Sequence, residues 1–178
     1  MQIANAQREV RTHFVGGFYG QLVSGVLWLG AASLATWSTP RAAITVLVLG
    51  GFFIFPATVL LIRLSGNRSS LNPANSLNSL GLQVAMVLPL SMPLLLPVTR
   101  YQLNLFFPAL MILLGAHYAP FVFLYGMRMF AGLAAVLVSG GIGLAIYWSN
   151  SFAVGAWYTG VALVVFAGVG RAIVQRER

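Results

Sequence analysis

Eight side chains set within long apolar stretches could do chemistry: Gln21, Ser24, Gln83, Ser91, Asn104, His117, Tyr118 and Tyr125. All make hydrogen bonds, and only the His117 imidazole has an unperturbed pKa near neutrality. An ionisable group in apolar sequence is a functional candidate by default; the plainer alternative is a neutral histidine hydrogen-bonding a neighbouring helix. At a rise of 1.5 Å per residue, Gln21 lies ~10 Å, Gln83 ~6 Å and His117 ~12 Å from the same end of their respective stretches. The three are therefore expected to share one polar layer, with Tyr118, Asn104 and Ser91 as lesser lining residues.

Missing residues narrow the chemistry further. The chain has two acidic side chains, Glu9 and Glu177, and both lie outside the apolar stretches. An acidic proton relay or a carboxylate-lined cation site across the membrane therefore has no residues to use. No carboxylate pair or Ser-His-acid set exists to activate a nucleophile, so an enzyme is not expected. With no Cys there is no disulfide, thiolate metal site or thiol catalysis. Haem held between two histidines is disfavoured because His13 sits at the edge of the first stretch. No cofactor or metal is expected.

The elements that position these groups are six bilayer-length stretches, Phe14 to Trp37, Ala42 to Leu64, Ser79 to Val98, Leu103 to Tyr125, Met129 to Trp148 and Phe152 to Val174. A backbone in hydrocarbon must satisfy its own hydrogen bonds, which helices do within a segment. The composition agrees, since 59% hydrophobic and 7% charged residues lie far from the roughly 25% charged residues of soluble domains. The expectation is all-α: one transmembrane domain over residues 1–178, with six helices in an up-down bundle. Thirteen mostly polar residues precede the first span, which is too long for a signal core.

Positive residues near span ends stay on the cytoplasmic side. Arg8, Arg11, Arg63, Arg68, Arg128, Arg171, Arg176 and Arg178 fall at one side, Arg41 and Arg100 at the other. Both termini are thus expected inside, with Trp37, Tyr101, Tyr147, Trp148, Trp157 and Tyr158 as an aromatic belt opposite. The net charge of +8 then reflects topology and attraction to anionic headgroups. Nucleic acid is a poor partner, because the arginines are scattered over short segments. For the same reason of side, the glycosylation acceptor Asn67-Arg68-Ser69 is read as accidental.

Three patterns bear on packing. Gly16, Gly20 and Ser24 recur every four residues on the first span, as do Ala131, Ala135, Ser139 and Gly143 on the fifth. Such stripes let neighbouring backbones approach; a homodimer or pore-lining face is the other reading. Pro89, Pro93 and Pro97 remove helical donors from the third span, so its outer half is expected to bend or break, either exposing carbonyls to a solute or being patched by Ser91. The second and fourth spans share a pattern, LGGFFIFPATVLLIR from Leu49 and LGAHYAPFVFLYGMR from Leu114, in which Pro56 and Pro120 are expected to kink.

The segments GGFYGQLVSGVLWLG from Gly16, GGFFIFPATVLLIRL from Gly50 and FFPALMILLGAHYAPFVFLYGM from Phe106 resemble a group of small bacterial multi-pass proteins known as a domain of unknown function. The likeness covers the first four spans and leaves the fifth and sixth loosely matched. It implies a bacterial inner-membrane protein and carries no activity or catalytic residue. On the residues alone, the expectation is a small permease or channel for a neutral or anionic solute. Its alternative is a non-transporting scaffold or accessory subunit, and a homo-oligomer fits either.

Overall fold

A computed structural model describes residues 2–67, 69–148 and 150–177, and the regular structure among those residues is all helix, without strands. A short helix, α1 (Ile3–His13), precedes the first span. It leads through a tight turn into α2 (Phe18–Trp37). The second span is broken into α3 (Pro40–Gly51) and α4 (Ile54–Leu64), bent by 57°. The third runs as α5 (Leu77–Ser91), a 3₁₀ turn and α6 (Leu95–Tyr101). The fourth comprises α7 (Phe106–Tyr118) and α8 (Phe121–Tyr125), the fifth is α9 (Met129–Tyr147) and the sixth α10 (Val154–Arg176).

Proline explains the interruptions. Pro56 lies in the first turn of α4, where its missing N–H costs nothing; the break falls just before it, at Phe52 and Phe53. Pro120 likewise separates α7 from α8. The third span differs from expectation. Its three prolines leave one continuous helix of 25 residues, Leu77–Tyr101, apolar and long enough to cross a membrane. Tightening to 3₁₀ geometry lets the Met92 N–H reach the Pro89 carbonyl. Ser91 Oγ donates to the Val87 carbonyl at 2.7 Å, and Thr99 Oγ1 donates to that of Leu95 at 2.9 Å. The span therefore continues through Pro89, Pro93 and Pro97 by local tightening, and the two hydroxyls bond carbonyls other than those the prolines orphan.

The spans form a row. Two tight pairs, α2 with α10 and α7 with α9, meet through α9 and α10; α3–α4 flanks α2, and α5–α6 flanks α7. Glycines cut the grooves within each pair. A Cβ on Gly25 would lie 2.8 Å from Val164 Cγ2 and 3.2 Å from the Gly160 carbonyl oxygen, and one on Gly141 2.7 Å from the Pro108 carbonyl oxygen. On the first span, Gly16 lies against α10 and Ser24 is buried, as a packing stripe requires. Gly20 instead faces Thr58 on α4. The fifth-span stripe is a correction: Ala131, Ala135 and Ser139 are exposed and Gly143 has open space. The packed face of α9 is Phe130, Leu133, Ala134, Leu137 and Gly141.

Both chain ends meet at one face. Arg11 Nε lies 3.0 Å from Glu177 Oε2. Met127 packs near Gly16, and Asn67 reaches the carbonyls of Thr12 and His13. Because α4 finishes beside the start of α2 while α3 starts beside its end, the bent second span traverses the whole bundle and does not re-enter. At the far face Trp157 Nε1 donates to Thr36 Oγ1 at 3.0 Å and its ring meets Trp37 edge-on. Trp37, Tyr101, Tyr147 and Trp148 are exposed there.

The second and third spans sit at opposite edges of the row, so the loop over residues 65–76 must cross the whole terminal face. Its partner along the way is α1, running antiparallel to it. Asn67 Nδ2 donates to Thr12 and His13, His13 Nδ1 meets the Ser69 carbonyl at 2.6 Å, the Asn72 N–H donates to Glu9 and Asn75 Nδ2 donates to Ala6. Helix and loop together strap the terminal end of the bundle.

Candidate functional site

Gln21 is the anomaly of the interior. It occupies the first turns of α2, where α4, α10 and the terminal end of α9 converge, and is 2% exposed. Neither Oε1 nor Nε2 has a hydrogen-bond partner. A buried unpaired polar group costs about 1–3 kcal/mol, and lipid outside the bundle offers no relief. The amide closes on Gly17: a Cβ there would stand 3.3 Å from Gln21 Nε2 and 3.1 Å from Phe130 Cζ. Gly17 also has φ +80°, a second reason for glycine at this place.

Phe130 joins Gln21 to a cluster of rings. Tyr118 stacks on Phe130 with centroids 6.1 Å apart, Tyr125 tilts against it at 5.0 Å and Phe121 meets it edge-on at 5.4 Å. Both tyrosines are buried, and each brings a hydroxyl into an otherwise apolar core. Phe14 closes the cluster toward the terminal face by meeting Tyr125 at 6.4 Å. His117 lies on the other flank, its ring 5.1 Å from Phe121. The imidazole faces the Val84 backbone of α5, and its Nδ1 has no partner.

The expected layer of Gln21, Gln83 and His117 is thus only partly formed. Gln21 and His117 border the same aromatic cluster from opposite sides. Gln83, beside Val84, is exposed on the outer surface of α5. Asn104 lies at the far face, in the short turn before α7, and Ser91 is engaged with its own helix. Arg68, counted for topology, falls outside the described residues, as does Arg178. Among the described residues no group of three or more His, Cys, Asp or Glu side chains could hold a metal.

The short α1 lies outside the six apolar stretches of the sequence. Its signal was faint: Ala6 and Val10, spaced by four, are its buried positions. The helix caps the end of the fourth span, where the last carbonyls of α8 need donors. Gln7 Nε2 donates to the Phe123 carbonyl at 2.6 Å and Arg11 to that of Tyr125 at 3.4 Å. Two concavities flank it, of about 300 Å³ among Asn5, Arg8, Glu9, Thr12, Ser69 and Ser70 and about 400 Å³ among Arg8, Arg11, Thr12, Val174 and Glu177.

Apolar helices long enough to cross a bilayer, joined in one row around a polar and aromatic interior, define a polytopic helical membrane protein. Its particular place is equally plain: the chain belongs to the Family of unknown function (DUF7010), whose model matches residues 3–171. The match therefore reaches through the fifth and sixth spans, beyond the four that carry the resemblance in the sequence. No curated protein and no solved structure matches the chain.

Proposed function

We propose that the protein is a small permease or channel for a neutral or anionic solute, in the bacterial inner membrane with its terminal face cytoplasmic. The carrying observation is Gln21, an amide deep in the bundle with both polar atoms unpartnered. It offers a donor and an acceptor to a polar guest, at the border of the aromatic cluster that holds Tyr118 and Tyr125. A cation finds no carboxylate in this interior, which favours a neutral or anionic solute. Orientation rests on arginine: Arg8, Arg11, Arg63, Arg128, Arg171 and Arg176 among the described residues belong to the terminal side, against Arg41 and Arg100 on the other. The reading includes no enzymatic step and no cofactor.

The test is stopped-flow flux of glycerol, urea, chloride and nitrate into proteoliposomes. At least one solute is expected to enter faster than into empty vesicles, and Gln21→Leu to abolish the difference. Background entry of all four, or flux untouched by the substitution, would contradict the proposal.

A second reading, an accessory subunit that moves nothing, draws on different residues. The smooth stripe of Ala131, Ala135 and Ser139 faces outward, and so does Gln83; both are surfaces by which membrane helices associate. Under that reading a second copy or another membrane protein copurifies with the chain, and Gln83→Leu or Ala135→Leu releases it.

A further inference from the structure

Both acidic side chains of this chain are used at one place. Glu9 leaves α1 to accept the Asn72 N–H of the crossing loop, and Glu177, just beyond α10, pairs with Arg11 of α1. The Arg11 guanidinium also donates to the Tyr125 carbonyl, and neutral hydrogen bonds and the small apolar patch of Ala6 and Val10 complete the attachment of α1. The hinge beneath it is strained. Val15, Gly16 and Gly17 have φ of 51°, 63° and 80°, and a β-branched valine in the left-handed region is a genuine outlier. Such conformations persist only where the surroundings enforce them, and they gather at segments that switch. Phe14, next to this hinge, meets Tyr125, and the unpartnered Gln21 follows one turn into α2 with its Nε2 against Gly17.

We infer that α1 is a hinged lid over the terminal mouth of the bundle, fastened by Glu9 and Glu177 and turning about Val15–Gly17. The crossing loop is anchored at opposite edges of the row, by α4 and α5, and stays in place as the rim. Lifting α1 breaks its caps on the Phe123 and Tyr125 carbonyls and opens the route to Gln21. The use of that route for a solute rests on the permease reading; the motion of α1 does not.

The chain has no Cys, so a single reporter thiol can be placed without background. Ser24→Cys puts it on α2, one turn beyond Gln21, at a site 4% exposed. A membrane-impermeant thiol reagent is applied to the terminal face of proteoliposomes, with Trp37→Cys at the far end as control. Combining Glu9→Gln and Glu177→Gln is expected to speed labelling at position 24 about tenfold, with position 37 unchanged, as a local opening equilibrium requires. In the parent, hydrogen exchange of the α1 amides is expected to be at least about tenfold faster than in α10. Labelling unmoved by the double substitution, or α1 amides as protected as those of α10, would overturn the lid. Accelerated labelling with no flux of glycerol, urea, chloride or nitrate would leave the lid standing and remove the permease.

Discussion

The α2–α10 pair and the third span are both long apolar helices, yet they are built on opposite plans. Between α2 and α10 the backbones nearly touch: a Cβ on Gly160 would stand 2.7 Å from Leu29 Cγ and 3.0 Å from its backbone nitrogen. The third span, α5 to α6, has only 11% of its most apolar stretch buried and presents Leu82, Met86, Leu90, Leu94 and Leu96 outward. In water such a helix would be a liability, but lipid solvates it as readily as neighbouring helices do. What holds a span in this bundle is thus close backbone approach and hydrogen bonding, not apolar area. The contrast also separates two polar residues: the unpartnered polar atoms of Gln21 belong to the packed centre, and the exposed amide of Gln83 to the sparsely packed edge.

Several substitutions would break or sharpen that contrast. The largest effect is expected from Gly160→Leu, which drives a side chain into the Leu29 backbone; overpacking of at least about 2 kcal/mol should remove the monodisperse peak in detergent chromatography. Gly141→Leu, against the Pro108 carbonyl, should do the same for α7 and α9. A normal melting profile for either would show that the glycine grooves are not what holds the pairs. Next comes the clamp on α1. Glu177 is 44% exposed, so Glu177→Gln should lower global stability by no more than about 1 kcal/mol, a small shift of the melting midpoint. Gln83→Leu should be smaller still, within about 0.5 kcal/mol of the parent, as expected for a residue away from packed features. Ala135→Leu, on the outward stripe of α9, should leave the melt of the monomer unchanged; a change in apparent mass in native gels would instead give that stripe to a second copy.

Much of this architecture was legible from composition and proline alone. Apolar runs of bilayer length specify spans, Pro56 and Pro120 mark where the second and fourth are interrupted, and clustered arginines place both ends together, as Arg11 and Glu177 then show by contact. The phase of each helix was not legible. A helix packed on one side and lipid-solvated on the other is apolar all round, so periodicity cannot say which stripe faces inward; hence Ala131, Ala135 and Ser139 point outward and Gln83 leaves the layer. Nor did α1 announce itself. Eleven residues are too few to be helical unaided, and this helix exists through distant partners at Phe123, Asn72, Asn75 and Glu177. The third span misled because three prolines read as a break, whereas 3₁₀ tightening gives the Pro89 carbonyl a new donor at Met92.

The most direct test of the account is Gln21→Leu, followed at once by thermal melting in detergent and by flux in proteoliposomes. Leucine matches the volume and removes two unpaired polar atoms, so the variant should melt higher, by about 1–3 kcal/mol of added stability, while entry of the transported solute falls to that of empty vesicles. A variant that melts lower and still moves the solute would show Gln21 to be a structural bond of the bundle, and the account of this interior would be wrong.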